Sequence, residues 1–239
     1  SQAASPPAGG AYGVSLVAPS GPQRTERIEA ELVSMNAWAV PGSTAVVAVR
    51  QKIQPGWHTY WRNPGDSGGA TTLDWSLPVG VTAGEIVWPL PERLALMSLA
   101  MFGYSDVVYL PGAIQIPSDI RPGTVLPLRV TALFMVCSDE ICVPDEMELA
   151  LTLPVREGSP PLTAVHGALI QQGLETAPRP AAIEARAEIQ NGVLVLTAVG
   201  GPLEGRDPGP VHFYPFEGGR IDHAAAQTGS WGPRGLTMN

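Results

Sequence analysis

Apolar and polar residues alternate with a period of two through much of the chain, in short runs broken by glycine and proline. Such alternation predicts strands with one buried face. Runs at 27–33, 57–61, 73–77, 81–88, 107–111 and 112–116 fit it. Residues 44–53 are β-branched and almost wholly apolar, so they read as a central strand covered on both faces. The run 128–136 leads into a turn at 137–144, and 147–153 alternates again on the way out. About eight or nine strands before residue 154, with turns every ~8–12 residues, are the signature of a β-sandwich. Residues 63–69 (Asn-Pro-Gly-Asp-Ser-Gly-Gly) are a turn cluster outside regular structure. Residues 89–100 are apolar without alternation and read as a loop with one helical turn.

Beyond 155 the pattern changes. Leu162, Val165, Leu169, Ile170 and Leu174 form one stripe at three- and four-residue spacing, which predicts an amphipathic helix over 162–174. Residues 183–189 and 193–199 flank Gln190-Asn191-Gly192, a strong hairpin signal. Residues 211–215 read as a further strand. The expected organisation is a flexible lead at 1–22, a sandwich domain at 23–155, a linker with a helix at 156–180, and a smaller β module at 181–239. That last unit is thin for a full sandwich. It is either incomplete or borrows an edge from the first.

Composition narrows the class. The 239 residues include 27 glycines and 25 prolines, which favours short strands and turns over long helices. The net charge of −8 argues against a nucleic-acid surface. No apolar run is long enough to span a bilayer. Trp57, Trp61, Trp75 and Trp88 read as sandwich core. The 63–69 turn lacks the lysine and following helix of a phosphate loop, and reads as structural.

The chain has two cysteines, Cys137 and Cys142, one at each end of the short turn between the runs 128–136 and 147–153, with four residues between them. A disulfide between them would close a small ring. Loop entropy would give such a ring only about 2 kcal/mol. Three readings stay open on spacing alone: a staple, an exchangeable dithiol couple, or a soft two-thiol metal site. Asp139, Glu140, Asp145 and Glu146 crowd the pair, and no lysine or arginine lies between Arg129 and Arg156. Acidic neighbours disfavour a thiolate.

Four blocks then carry a resemblance over residues 30–155. They are Trp61-Arg62-Asn63-Pro64-Gly65-Asp66-Ser67-Gly68, Val87-Trp88-Pro89-Leu90-Pro91-Glu92-Arg93, Phe102-Gly103-Tyr104 with 107–111, and Cys137-Ser138-Asp139-Glu140-Ile141-Cys142-Val143-Pro144. In this order they resemble the N-terminal periplasmic domain of the DsbD family of thiol:disulfide interchange reductases. They are most similar to its ScsB branch, the suppressor of copper sensitivity reductases. The resemblance implies an immunoglobulin-like β-sandwich followed by a second, smaller immunoglobulin-like module with a linking helix. It implies a periplasmic segment of a protein embedded in the inner membrane through other domains. A thioredoxin-like domain of the same reductase would supply electrons, and thioredoxin-fold client proteins would receive them. No cofactor and no metal enter this scheme.

The resemblance also assigns roles. Cys142 would form the mixed disulfide and Cys137 would resolve it. Met101 and Phe102 match a loop that caps the pair in the family, which has an aromatic one place earlier than Phe102; either could cover the sulfurs. Tyr104 is expected to support that cap. His58 and Tyr60 lie where the family has tyrosines near its site, and alternation puts both on one face. Two other functions compete: copper binding through the two cysteines with Met135, Met101 and His58, and a purely structural module.

Overall fold

The structure, a computed structural model, describes residues 20–232 and 235–239. Most of the expected lead at 1–22 therefore lies outside the described residues. Of the rest of it, Ser20 makes a parallel bridge to Ala150. In chain order the early strands are β1 (Gln23–Arg24), β2 (Ile28–Ser34), β3 (Thr44–Ile53), β4 (Thr59–Gly65), β5 (Thr72–Ser76) and β6 (Thr82–Ile86). There follow β7 (Glu92–Leu96), β8 (Leu99–Tyr104), β9 (Val107–Gln115), β10 (Val125–Cys137) and β11 (Cys142–Pro154). Helix α1 (Gly167–Thr176) precedes β12 (Glu184–Gln190), β13 (Val193–Val199), β14 (Gly229–Gly232) and β15 (Gly235–Met238).

Two sheets, β1-β2-β3-β9-β6 and β11-β10-β5, enclose one core. Their pairings are antiparallel, and the architecture is the expected immunoglobulin-like sandwich. The packing follows from the side-chain period. Along β10, Leu126, Leu128, Val130, Ala132, Phe134 and Val136 are all buried and all face inward. Their cross-strand partners Met147, Leu149 and Leu153 on β11 fill the same core. Strand β3 is covered on both faces, as its composition predicts. Val47, Val49 and Ile53 face the sandwich core, while Ala48 meets Val33 and Ile170 of α1.

Helix α1 is shorter than expected and starts later. Of the predicted stripe, Ile170 is buried and Leu174 half-buried, whereas Leu162, Val165 and Leu169 are exposed. The Asn-Gly hairpin forms as read, with positive φ at Asn191 (52°) and Gly192 (77°), as a two-residue turn of this hand requires. Strands β12, β13, β15 and β14 make one four-stranded sheet.

Three expectations fail. Residues 89–100 are not a loop with a helical turn; they build most of the β7–β8 hairpin. Both faces of that hairpin are used, so its apolar residues do not alternate. Its tip carries Met97 at φ 56° where a glycine or asparagine would signal a turn. Second, the 63–69 cluster is partly regular, because β4 runs through Asn63, Pro64 and Gly65 across a bulge. Third, residues 211–215 form no strand ladder. The backbone of Phe213 is met by the Gln227 amide, which accepts from its N–H at 2.7 Å and donates to its carbonyl at 3.0 Å. The Asn63 amide donates to the Pro215 carbonyl at 2.8 Å. Side chains do there what a neighbouring strand would do.

Sheet β4-β8-β7 is a separate sheet that lends Trp61, Phe102 and Tyr104 to the sandwich core. It joins through His58, whose N–H donates to the Cys137 carbonyl (2.9 Å) and whose carbonyl accepts from the Cys137 N–H (3.0 Å). Within it β4 and β8 approach closely at Gly103, where an added Cβ would overlap the Thr59 carbonyl. Gly103→Ala should therefore force the two strands apart. A destabilisation of about 1–3 kcal/mol by urea unfolding is expected, the usual cost of overpacking; an unchanged midpoint would mean the strands do not meet there.

Candidate functional site

The cysteine pair follows from strand register. Cys137 and Cys142 are directly opposed on β10 and β11, with Cα atoms 4.0 Å apart, and form a disulfide. The Cys137 N–H and carbonyl point away from β11, toward His58. The pair is thus a non-hydrogen-bonded site of the ladder, where opposed side chains lie nearest each other. The turn between them is held by Ser138, whose N–H donates to the Ile141 carbonyl (2.8 Å). The Ser138 hydroxyl accepts from the Glu140 and Ile141 N–H groups, each at 3.2 Å.

The two cysteines are unequal. Inward-facing positions of β10 are even-numbered, so Cys137 lies on the outer face of the sheet. It is nevertheless only 1% exposed, while Cys142 is exposed. The cluster that buries Cys137 draws on the β7–β8 hairpin, on β4 and on β10 itself. Leu94 and Met101 are cross-strand partners on one face of the hairpin, and both pack in a cluster with Leu96, Tyr60, Met135 and Cys137. The opposite face carries Arg93 and Phe102. The two cap candidates lie in different places. Met101 lies in the cluster with Cys137. Phe102, also 1% exposed, belongs to the sandwich core and packs edge-on against Trp61 and Tyr214. Tyr104 is likewise core, its hydroxyl donating to the Pro89 carbonyl at 2.7 Å. Burial drives the Tyr104 phenol well above its ordinary range.

His58 and Tyr60 share a face, as their spacing implies. The His58 Nε2 is 3.1 Å from the Tyr60 hydroxyl, and the rings meet edge to face. Burial pushes Tyr60 up to about 12, so it stays a neutral phenol. Desolvation also lowers the His58 imidazole, against the opposing pull of Asp139 and Glu92. The Tyr60 ring is itself capped by the 63–69 turn. A Cβ on Gly68 would fall on that ring, and Gly68 has φ 94°. Asp66 fastens the same turn to β8, bonding the Ala100 N–H and carbonyl. The turn is structural, and what it builds is the wall of the sulfur cluster.

Sequence reasoning missed Leu94, Leu96 and Asp66 because the hairpin was not recognised. It also misplaced Asp145. That carboxylate faces inward, only 5% exposed, and accepts from Arg27 Nε (3.0 Å) and Nη2 (2.8 Å) and from the Thr25 hydroxyl (3.0 Å). Its counter-charge comes from 118 residues away, so the local absence of basic residues misled. Trp61 is buried, and Trp57, Trp75 and Trp88 pack half-buried against the core. No group of three or more histidine, cysteine or acidic side chains placed to hold a metal occurs among the described residues.

Residues 29–154 match the family of the thiol:disulfide interchange protein DsbD, N-terminal. No curated protein matches the sequence. Among solved structures, the N-terminal periplasmic domain of ScsB from Proteus mirabilis is similar. It shares 17% identity at a TM-score of 0.59, over 92% of this chain and 82% of that one. At that identity the likeness speaks for the fold alone. The DsbD N-terminal domain of Neisseria meningitidis, in the reduced form, aligns at a TM-score of 0.28 with 10% identity, over 55% of this chain and 89% of that one. The family match covers more than half of the chain and encloses both cysteines and the β7–β8 hairpin: the chain belongs to the DsbD N-terminal family.

Proposed function

We propose that this chain is a periplasmic electron carrier of the ScsB branch, passing a dithiol's reducing power to client proteins through Cys137 and Cys142. The observation that carries this is the inequality of the pair: one cysteine exposed at a hairpin tip, its partner buried in a cluster with Met101 and Tyr60. In the reducing direction the Cys142 thiolate attacks a client disulfide. A mixed disulfide forms, and one client sulfur leaves as a thiolate that takes up a proton. The Cys137 thiol, losing its proton, then attacks Cys142 Sγ and frees the second client sulfur. Two electrons and two protons have moved, and the Cys137–Cys142 bond is restored. A donor dithiol, here proposed to be a thioredoxin-like domain of the same reductase, reverses these steps at Cys142. Exchange runs on sulfur alone, so neither metal nor cofactor is needed.

Met101, with Leu94 and Leu96, acts as the cap; Phe102 and Tyr104 hold it from the core side. His58 does not supply positive charge to the thiolate near neutral pH, because desolvation favours its neutral form. Its contribution is the backbone bridge that places β4 beside Cys137. Asp139 and Glu92 lie near His58, and neither is in an ion pair among the described residues, which suits a carrier slow toward stray reagents.

Two outcomes are expected. With Cys137→Ser, Cys142 should accumulate as a mixed disulfide with thioredoxin-fold proteins in periplasmic extract, while Cys142→Ser gives none; equal trapping by both variants, or by neither, contradicts the assignment. The His58 imidazole is lowered on folding, so the unfolded chain binds more protons just below the ordinary value of 6.5. The stability due to neutral His58 is complete above that value and is lost as the pH falls through the lowered one. Acidification from about pH 7 to about pH 5 should lower the Tm of the parent more than that of His58→Gln. Parallel falls would mean that His58 is not desolvated.

A further inference from the structure

We infer that residues 211–226, the segment between β13 and β14, are the back wall of the cap hairpin and set how readily Cys137 is uncovered. The hairpin is a plate with two faces. On one face, Leu94, Leu96 and Met101 pack in the cluster that contains Cys137. Phe102 and Arg93, a cross-strand pair on the other face, meet residues from the far end of the chain. The Phe102 ring packs edge-on against Tyr214 and against His223, each with centroids 5.1 Å apart. Arg93 Nη2 donates to the His223 and Ala224 carbonyls, both at 3.2 Å. Beside the hairpin, Asn63 of β4 donates to Pro215, and the Arg62 guanidinium lies 4.1 Å from the centre of the Phe216 ring. The segment thus touches both β4 and the β7–β8 hairpin, the two walls of the sulfur cluster.

His223 shows what kind of contact this is. It is 3% exposed, and neither ring nitrogen has a hydrogen-bond partner among the described residues. The ring serves as a flat packing surface against Phe102, not as a polar group. Lifting Met101 off Cys137 moves β8 as a unit, since Met101 and Phe102 are adjacent on one strand. Any opening of the cap must therefore break the Phe102–His223 and Phe102–Tyr214 contacts and the two Arg93 bonds. The C-terminal sheet, reached directly through this segment, becomes a brake on the redox site. Its consequence for exchange rests on the function proposed above; the mechanical coupling does not.

Alkylation of a single buried thiol separates the two. In a Cys142→Ser background Cys137 is the one thiol left, and iodoacetamide reaches it only when the hairpin opens. His223→Ala should raise the alkylation rate about tenfold, the population shift expected from losing one aromatic edge contact and its packing. Arg93→Met should raise it too, by a smaller factor, and carries the test if His223→Ala does not fold. His223→Phe keeps the ring and should stay as slow as the parent. Ile170→Ala destabilises the remote face of β3 and should leave the rate unchanged. The inference is overturned if neither His223→Ala nor Arg93→Met accelerates alkylation, or if Ile170→Ala does so equally. A fast rate in His223→Ala, with no disulfide exchange by the intact pair, would keep the coupling and sink the carrier function instead.

Discussion

The structure depends on one geometric constraint: Cys137 occupies an outward-facing position of a strand whose other face is the core. An outward residue of an edge-proximal strand would ordinarily be solvated. Here the residue turns its backbone hydrogen bonds to His58, and that bridge brings β4, then β8, then β7 over its side chain. The sulfur is buried by an added layer rather than by the sandwich. Opening of that layer must break core contacts as well, because Trp61, Phe102 and Tyr104 of β4 and β8 belong to the sandwich core.

The inequality of the two sulfurs follows from the same constraint. Cys142 has no covering layer, since it sits at the start of β11 beyond the hairpin's reach. Attack at Cys142 expels Cys137 as a thiolate into a cluster of Tyr60, Met101, Met135, Leu94 and Leu96, which solvates charge poorly. On the proposed function, exchange would be slow until water or a partner reaches Cys137. Neutral His58 and neutral Tyr60 agree with this: the closed site favours the bonded or protonated sulfur. Asp145 does not add to the negative field as its sequence position suggests, because Arg27 neutralises it from across the sandwich.

Much of this was legible in the sequence. Strands with clean alternation, such as β10 and β11, and the strongly β-branched β3 were placed well, since a period of two at one buried face is unambiguous. The Asn-Gly hairpin was equally readable from its turn chemistry. The cap hairpin was not, because Leu94, Leu96, Met101 and Phe102 are apolar on both faces and Met97 replaces the expected turn residue. That one omission hid the layer that buries Cys137. The 211–215 segment has strand-like composition, but its hydrogen-bond partners are the amides of Gln227 and Asn63, and no local pattern predicts such a pairing. Met101 and Phe102 are both cap candidates by sequence; only the register of β7 against β8 puts one in the cluster with Cys137 and the other in the sandwich core.

The proposed function requires the Cys137–Cys142 bond to be a reversible couple and not a staple. Its reduction potential, measured by equilibrating the protein with defined dithiol buffers and counting free thiols, tests this most directly. The account predicts a value above about −300 mV, with the sandwich still folded when both thiols are free. A potential well below that, or loss of the fold on reduction, would contradict it.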